Sequence, residues 1–334
     1  MKGRCSLALQ TIPDGVALAT ADLLFAKRQP FMLGALLTPF FFAFSAVTGQ
    51  RVAVRLGAVR GNLVRLSIAT VILGLTVALF FPHSLEAETF GWFFVSGLIG
   101  FGLGDVALFL AYERLGSRLT ILLNLCLAPL FAMALEWFWL GNAVSIHVMI
   151  CAAMILTGVT MAIRPGAKSR QKIERQGSFG FGIFMAVLAG FGQGTGAVIS
   201  RKAEAVALLN GVVVNGISAA FQRVFAGLIF AALAMLVVRL IMKRRYPQTL
   251  REVMQPRLIP WVLGAALFGP VIGVSCFQWA LHSLESGIVL AFTAMTPIIL
   301  MPLAAITEGD HPSRLAILGA VIAVAGVALL YVWA

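Results

Sequence analysis

Ten stretches of about 20 mostly apolar residues recur along the chain, near 31–50, 62–81, 92–112, 119–140, 144–163, 179–199, 217–240, 260–281, 286–306 and 313–333. At a rise of about 1.5 Å per residue, about 20 residues cross a hydrocarbon layer about 30 Å thick. The breaks carry polar or turn-forming residues: Gly49-Gln50-Arg51, Pro82-His83, Gly116-Ser117, Gly141-Asn142, Arg164-Pro165-Gly166, Glu285-Ser286 and Gly309-Asp310-His311-Pro312. Gly and Pro at such points end helices. The pattern predicts an all-α integral membrane protein with ten transmembrane helices. The stretch 203–214 is apolar but short, and reads as an interfacial loop or as an extension of the seventh helix. Residues 1–30 contain Asp14, Asp22, Lys27 and Arg28 and lack an apolar run followed by small residues. They read as a cytoplasmic or interfacial extension rather than a secretory signal.

A second pattern lies on the first. Segments 128–142 and 296–310 match with Pro129 on Pro297 and Gly141 on Gly309, an offset of 168, which also carries Gly158-Val159 onto Gly326-Val327. One helix earlier the offset is 169 and pairs Gly100 with Gly269, Gly104 with Gly273, Ala111 with Ala280 and Leu115 with Leu284. Arg65 matches Arg223 at 158. Offsets that change only at loops are what a duplicated unit with loop insertions gives. The expected organisation is an N-terminal extension (1–30), a first five-helix repeat (31–164), a basic inter-repeat loop (165–178) and a second five-helix repeat (179–334). An odd helix count sends the second unit into the membrane from the opposite side, the inverted repeat that encloses a midplane site in many secondary transporters.

Composition agrees with the helix pattern. Hydrophobic residues make up 60% of the 334 and charged residues 11%, with a mean hydropathy of +0.97. A soluble domain carries about 25% charged residues, so lipid is the expected solvent and a cell membrane, inner or plasma, the expected location. The net charge of +12 would suggest nucleic acid in a soluble protein. Here the basic residues sit in short loops, where anionic lipid and cytoplasmic retention explain them and no nucleic-acid partner is needed. Counting helix-end residues with the nearest loop, the odd-numbered loops carry 18 of the 25 Lys/Arg, which favours both termini outside. The four cysteines, Cys5, Cys126, Cys151 and Cys276, show no metal spacing. His83, His147, His282 and His311 fall at helix ends with no acid or Cys at ligand spacing, and no phosphate-binding loop occurs. No cofactor or metal is expected.

Asp105 is the sharpest chemical feature, a carboxylate midway along an apolar helix. At that depth a charge costs about 2.5–3.5 kcal/mol on insertion scales unless paired or neutral. It reads as a cavity-lining or proton-relaying group, or as a structural partner of a helix end or of Arg65. Phe109 and Tyr112 lie four and seven residues on, able to wall the same side. Arg65 and Arg223, near the starts of the second and seventh helices, can snorkel, pair with an acid, or hold an anionic group. Asn124, Gln193 and Gln278 are neutral amides deep in helices, suited to interhelical hydrogen bonds or to a polar substrate. Gln193 stands among Gly190, Gly192, Gly194 and Gly196, which permit close approach of a substrate or a helix. Glu136, beside Trp137 and Trp139, can reach the interface.

The aligned residues resemble the drug/metabolite transporter superfamily in its EamA-type branch. The half-unit there has a Pro in its fourth helix, a Leu-Gly-Glu at that helix's end, a Gly-Val near the end of the fifth, and an Arg early in the second. Here these are Pro129, Leu140-Gly141-Asn142, Gly158-Val159 and Arg65, then Pro297, Glu308-Gly309-Asp310, Gly326-Val327 and Arg223. Asn142 and Asp310 depart from the usual Glu. The resemblance covers about residues 31–333 and implies cytoplasmic termini, against the loop charges. It implies a secondary transporter of a small metabolite or drug-like solute; taken with the inverted repeat and the buried acid, the expectation is an exporter coupled to protons through Asp105, acting as a monomer or homodimer in contact with membrane lipid. A passive channel or scramblase is the competing reading. A membrane-embedded lipid enzyme would need a Ser/His or His/Asp constellation that the sequence does not offer.

Overall fold

The structure, a computed structural model, describes residues 14–85, 87–140, 146–162, 178–212, 214–241, 255–284 and 286–333. Its regular elements are all helical: α1 (Asp14–Leu56), α2 (Ala58–Phe80), α3 (Ala87–Gly97), a π-helical segment (Leu98–Gly104), α4 (Asp105–Leu140), α5 (Ile146–Ala162), α6 (Phe179–Leu209), α7 (Gly216–Ile241), α8 (Ile259–Ala266), a second π-helical segment (Leu267–Gly273), α9 (Val274–Ser283), α10 (Ser286–Thr293), α11 (Thr296–Glu308) and α12 (Arg314–Trp333), with a 3-10 turn at Pro82–Ser84. Residues 1–13 of the N-terminal extension, Cys5, Gly141-Asn142, Arg164-Pro165-Gly166 with most of the inter-repeat loop, and Glu285 lie outside the described residues.

Seven helical stretches among the described residues are long and apolar enough to cross a membrane: Phe31–Leu56, Ala58–Phe80, Thr89–Trp139, Phe179–Leu209, Gly216–Leu240, Ile259–His282 and Ile288–Glu308. Met149–Ala162 and Arg314–Leu329 are apolar but shorter. Thr89–Trp139 has 51 residues, more than twice the length of one crossing. It turns at Gly116, whose φ of 76° and ψ of 175° belong to a region open essentially to glycine alone. Large apolar side chains such as Leu79, Phe138, Leu209 and Ile306 point outward, as a lipid-facing surface requires. The chain is an integral, multi-pass membrane protein.

Four boundaries differ from those expected. α1 begins at Asp14, inside the segment read as an N-terminal extension, rather than near residue 31. The first helix does not break at Gly49-Gln50-Arg51 but runs on to Leu56. Gly49 instead lets Tyr112 and Phe109 pack against its backbone, and the turn falls at Gly57, with φ 83°. A glycine ends a helix only where its backbone leaves the helical region. The stretch 203–214 is no loop at its start, and it extends the sixth helix rather than the seventh: α6 continues to Leu209. Nothing in 203–209 breaks a helix, and Gly211, with φ 70°, ends it. The ninth segment is two helices, α10 and α11. Pro297 stands in the first turn of α11, where its missing N–H belongs to a helix start. At the joint Thr293 donates to Leu290 O at 2.8 Å and Thr296 to Thr293 O at 2.5 Å.

The two π-helical segments are 169 residues apart, the spacing that pairs Gly100 with Gly269. Packing between the halves is reciprocal. α1 lies against α8 to α11, elements of the second half, while α6 lies against α3, the first π segment and α4 of the first half. α2 meets α7, and α5 meets α12. The last crossing is backbone on backbone: a methyl group on Gly319 would come within 2.5 Å of Gly158 O.

Candidate functional site

The first π segment ends at Gly104, and Asp105 begins α4. An extra residue in a turn re-aims the side chains of the next turn, which is why such turns cluster at functional sites. Arg65, in α2, donates from Nη2 to Asp105 Oδ2, and the two side chains are 5% and 13% exposed. The Arg65 guanidinium also lies over the Phe109 ring, 4.7 Å from its centroid. Phe109 meets Tyr112 edge-on with centroids 5.6 Å apart. The carboxylate thus has the structural partner that was one of its two expected fates, and the aromatic wall backs the arginine.

Arg223 is the counterpart of Arg65 with a different environment. It is 2% exposed, the largest fully buried side chain among the described residues. Its guanidinium sits between the first π segment and α6: methyl groups on Gly100 and Gly196 would come within 3.0 and 3.1 Å of Nη2. The Phe101 ring lies 5.2 Å away. Arg65 occupies the reciprocal place, 3.2 Å from a methyl group on Gly269 of the second π segment. Each repeat's arginine therefore reaches the other repeat's π segment, and the two sit at matching places in the duplicated frame. The partners differ, because the offset of 169 carries Asp105 onto Val274, Phe109 onto Gln278 and Tyr112 onto Leu281. The charge of Asp105 acts on both arginines; Nε of each is buried without an acceptor among the described residues, and it is Arg65 that the carboxylate holds by a hydrogen bond.

Hydroxyls and amides continue the site toward α9. Gln278 Nε2 donates to Ser200 Oγ at 3.2 Å, Ser200 and Ser96 share a hydrogen bond of 2.9 Å, and Ser96 donates to Gly196 O at 2.7 Å. Gln278 Oε1 and Asn124 Oδ1 are buried and accept no hydrogen bond among the described residues. Asn124 lies at a close approach of α4 to α6, where a methyl group on Gly190 would come within 2.9 Å of its carbonyl. Gln193, on α6 between the close-packed Gly192 and Gly194, is half-buried. Glu136 is apart from this cluster and accepts from Ser286 Oγ at 3.0 Å, so it ties α4 to α10. Asp105, Arg65, Tyr112, Arg223 and Gln278 thus share one region, and Glu136 does not.

Several polar contacts escape a reading of the sequence. His282 Nδ1 and Glu204 Oε2 are 3.0 Å apart, joined across 78 residues that no local spacing reveals. Glu308 accepts from the Ser117 N–H at 3.1 Å and from its hydroxyl, at the Gly116 turn. Asp310 pairs with Arg118 Nε at 2.7 Å. The end of α11 therefore clamps the bend between the two crossings of the first half. Glu113 accepts from Ala58 N–H at 2.6 Å, at the start of α2. At the end of α1 a cavity of about 520 Å³ is lined by Arg51, Arg55, Arg257, Gln255 and Trp261. Arg51 stacks on Trp261 at 4.1 Å and donates to Thr307 O at 2.9 Å. No group of His, Cys, Asp and Glu that could hold a metal ion occurs among the described residues.

No curated protein matches the chain. Among solved structures, one described only as "Crystal structure of protein" superposes with a TM-score of 0.57 at 18% identity, covering 90% of this chain and 97% of that one. At that identity the likeness is one of fold. The family model described as the EamA-like transporter family matches twice, over residues 29–164 and 180–332. The chain carries two EamA repeats and belongs to the EamA-like transporter family of the drug/metabolite transporter superfamily.

Proposed function

We propose that this protein is a secondary transporter that moves a small metabolite or drug-like solute by alternating access, as an exporter coupled to protons through Asp105. In this reading Thr89–Trp139 crosses twice, the two shorter helices cross once each, and ten spans form two inverted five-helix repeats. The observation that carries it is the reciprocal placement of the arginines, Arg65 at Gly269 and Arg223 at Gly100. Each reaches a π segment of the other repeat near one buried carboxylate. A site shared by two repeats that pack through the same elements in exchange can be opened to either side by rocking one repeat on the other. Family membership supports transport; the polar cluster on α2, α4, α6, α7 and α9 supports the location. Asp105, Arg65, Arg223, Tyr112 and Gln278 line it, with Asn124 and Gln193 at its α4–α6 edge, and Glu136 plays a structural part.

A carrier and a channel differ in how flux depends on concentration. In proteoliposomes given a panel of radiolabelled amino acids, carboxylates and nucleobases, the reading predicts saturable uptake and trans-stimulation for at least one solute. Flux that stays linear in concentration, without trans-stimulation, would instead identify a passive pore.

A further inference from the structure

We infer that the transported solute carries an oxyanion, a carboxylate or phosphate group, and that Arg223 receives it. The inference rests on the carrier reading and names the substrate class of the same site. Two guanidinia, Arg65 and Arg223, stand in the apolar bundle; the carboxylate of Asp105 is hydrogen-bonded to Arg65, and the buried carboxylate of Glu204 meets His282. Among the described residues no hydrogen bond or ion pair reaches the Arg223 side chain, and its Nε is buried without an acceptor. A guanidinium is a planar fork of five donors matched to carboxylate and phosphate oxygens. The charge of Asp105 acts on this guanidinium without a hydrogen bond to it, and buried donors left without an acceptor are unfavourable, so the resting protein holds this fork ready for an acceptor from outside.

The repeat shows which partner is missing. In the first half the acid comes directly after the π segment, at Asp105; in the second half Val274 holds that position. Val274 packs in one apolar cluster with Phe101, Ala220 and Val224, on the elements that flank Arg223. The neighbouring change from Phe109 to Gln278 brings hydroxyl and amide donors, Ser96, Ser200 and Gln278, close to the Gly196 backbone that borders the guanidinium. The first half has thus an internal anion and an aromatic backing, the second a buried cation with no hydrogen-bonded acid, and polar side chains nearby. Phe101, 5.2 Å from the guanidinium, gives an apolar surface for the body of the solute.

The test is ligand-dependent thermal stability of the purified full chain in detergent. Potassium benzoate and potassium phosphate are compared with potassium chloride at equal ionic strength. The wild type is expected to gain about 2 °C or more in at least one oxyanion at concentrations well above its Kd; benzoate alone indicates a carboxylate, phosphate alone a phosphate. Val274→Asp supplies the missing internal acid and is expected to abolish the gain, as is Arg223→Gln. Arg55→Gln/Arg257→Gln, at the basic cavity on the membrane edge, is expected to keep it. The inference is overturned by a wild type indifferent to both oxyanions, by a gain that survives in Val274→Asp or Arg223→Gln, or by a gain lost in the Arg55/Arg257 variant. Saturable flux without any oxyanion response refutes the anion site and leaves the carrier standing. An Arg223-dependent response with linear flux does the reverse.

Discussion

Replacing Asp105 by Asn removes the carboxylate that pairs with Arg65 and also acts on Arg223. Two buried guanidinia then remain with nothing opposite them. Removing one partner of a buried pair costs about 3–5 kcal/mol, because the other charge is left uncompensated. Arg65→Gln is milder: the carboxylate loses one hydrogen bond, about 1.5–3 kcal/mol for a charged group, and the charge of Arg223 still acts on it. The double variant returns the bundle to a single excess positive charge, as in the wild type. At about 2 °C per kcal/mol for a chain of this size, Asp105→Asn should lower the apparent melting temperature by about 6–10 °C and Arg65→Gln by about 3–6 °C. The second substitution should restore part of what the first removes. Tryptophan fluorescence during a thermal ramp in detergent measures all three. If Arg65→Gln is the more damaging, or if the two losses add in the double variant, Asp105 does not serve both arginines and the charge argument fails.

Three further substitutions test the frame around the site. Gly116→Ala places a side chain at φ 76°, ψ 175° and should cost about 1–3 kcal/mol, read as a lower melting temperature; a neutral outcome would mean the turn is not tied to that conformation. Glu308→Gln keeps the shape but loses the charged acceptor of Ser117 at the same turn. It should cost about 1.5–3 kcal/mol without shifting the concentration dependence of transport, and an altered half-saturation would give the Glu308 clamp a part in the site. Gly158→Leu collides with the backbone of α12 and should cost at least about 1–3 kcal/mol as an overpacked contact, seen as lost monodispersity and stability; wild-type behaviour would contradict the α5–α12 crossing.

The helical class and the duplication are legible in the sequence because both rest on patterns that survive divergence: apolar length and the placement of Gly and Pro. The offset of 169 pairs Gly100 with Gly269 and sets Val274 against Asp105, so the charge asymmetry can be read without coordinates. The π segments cannot, since an extra residue in a turn changes no composition. Gly49 misleads because it serves ring packing, while Gly57 makes the turn. Arg65 is a natural partner for Asp105 because the two are ionisable groups in neighbouring apolar runs of one repeat. Glu204 and His282, or Arg118 and Asp310, meet only once distant helices pack. Gln278 stands in the sequence as a lone amide, yet its meaning comes from Ser200 and Ser96 on helices far away in the chain.

The central claim is that the buried acid of the first repeat couples solute movement to protons in a carrier. Uptake into proteoliposomes with and without an imposed pH gradient tests it most directly, comparing the wild type with Asp105→Asn for a solute found by counterflow. The account predicts that the gradient drives accumulation by the wild type, while Asp105→Asn still exchanges solute across the membrane but gains nothing from the gradient. Gradient-driven accumulation by Asp105→Asn equal to that of the wild type would contradict it.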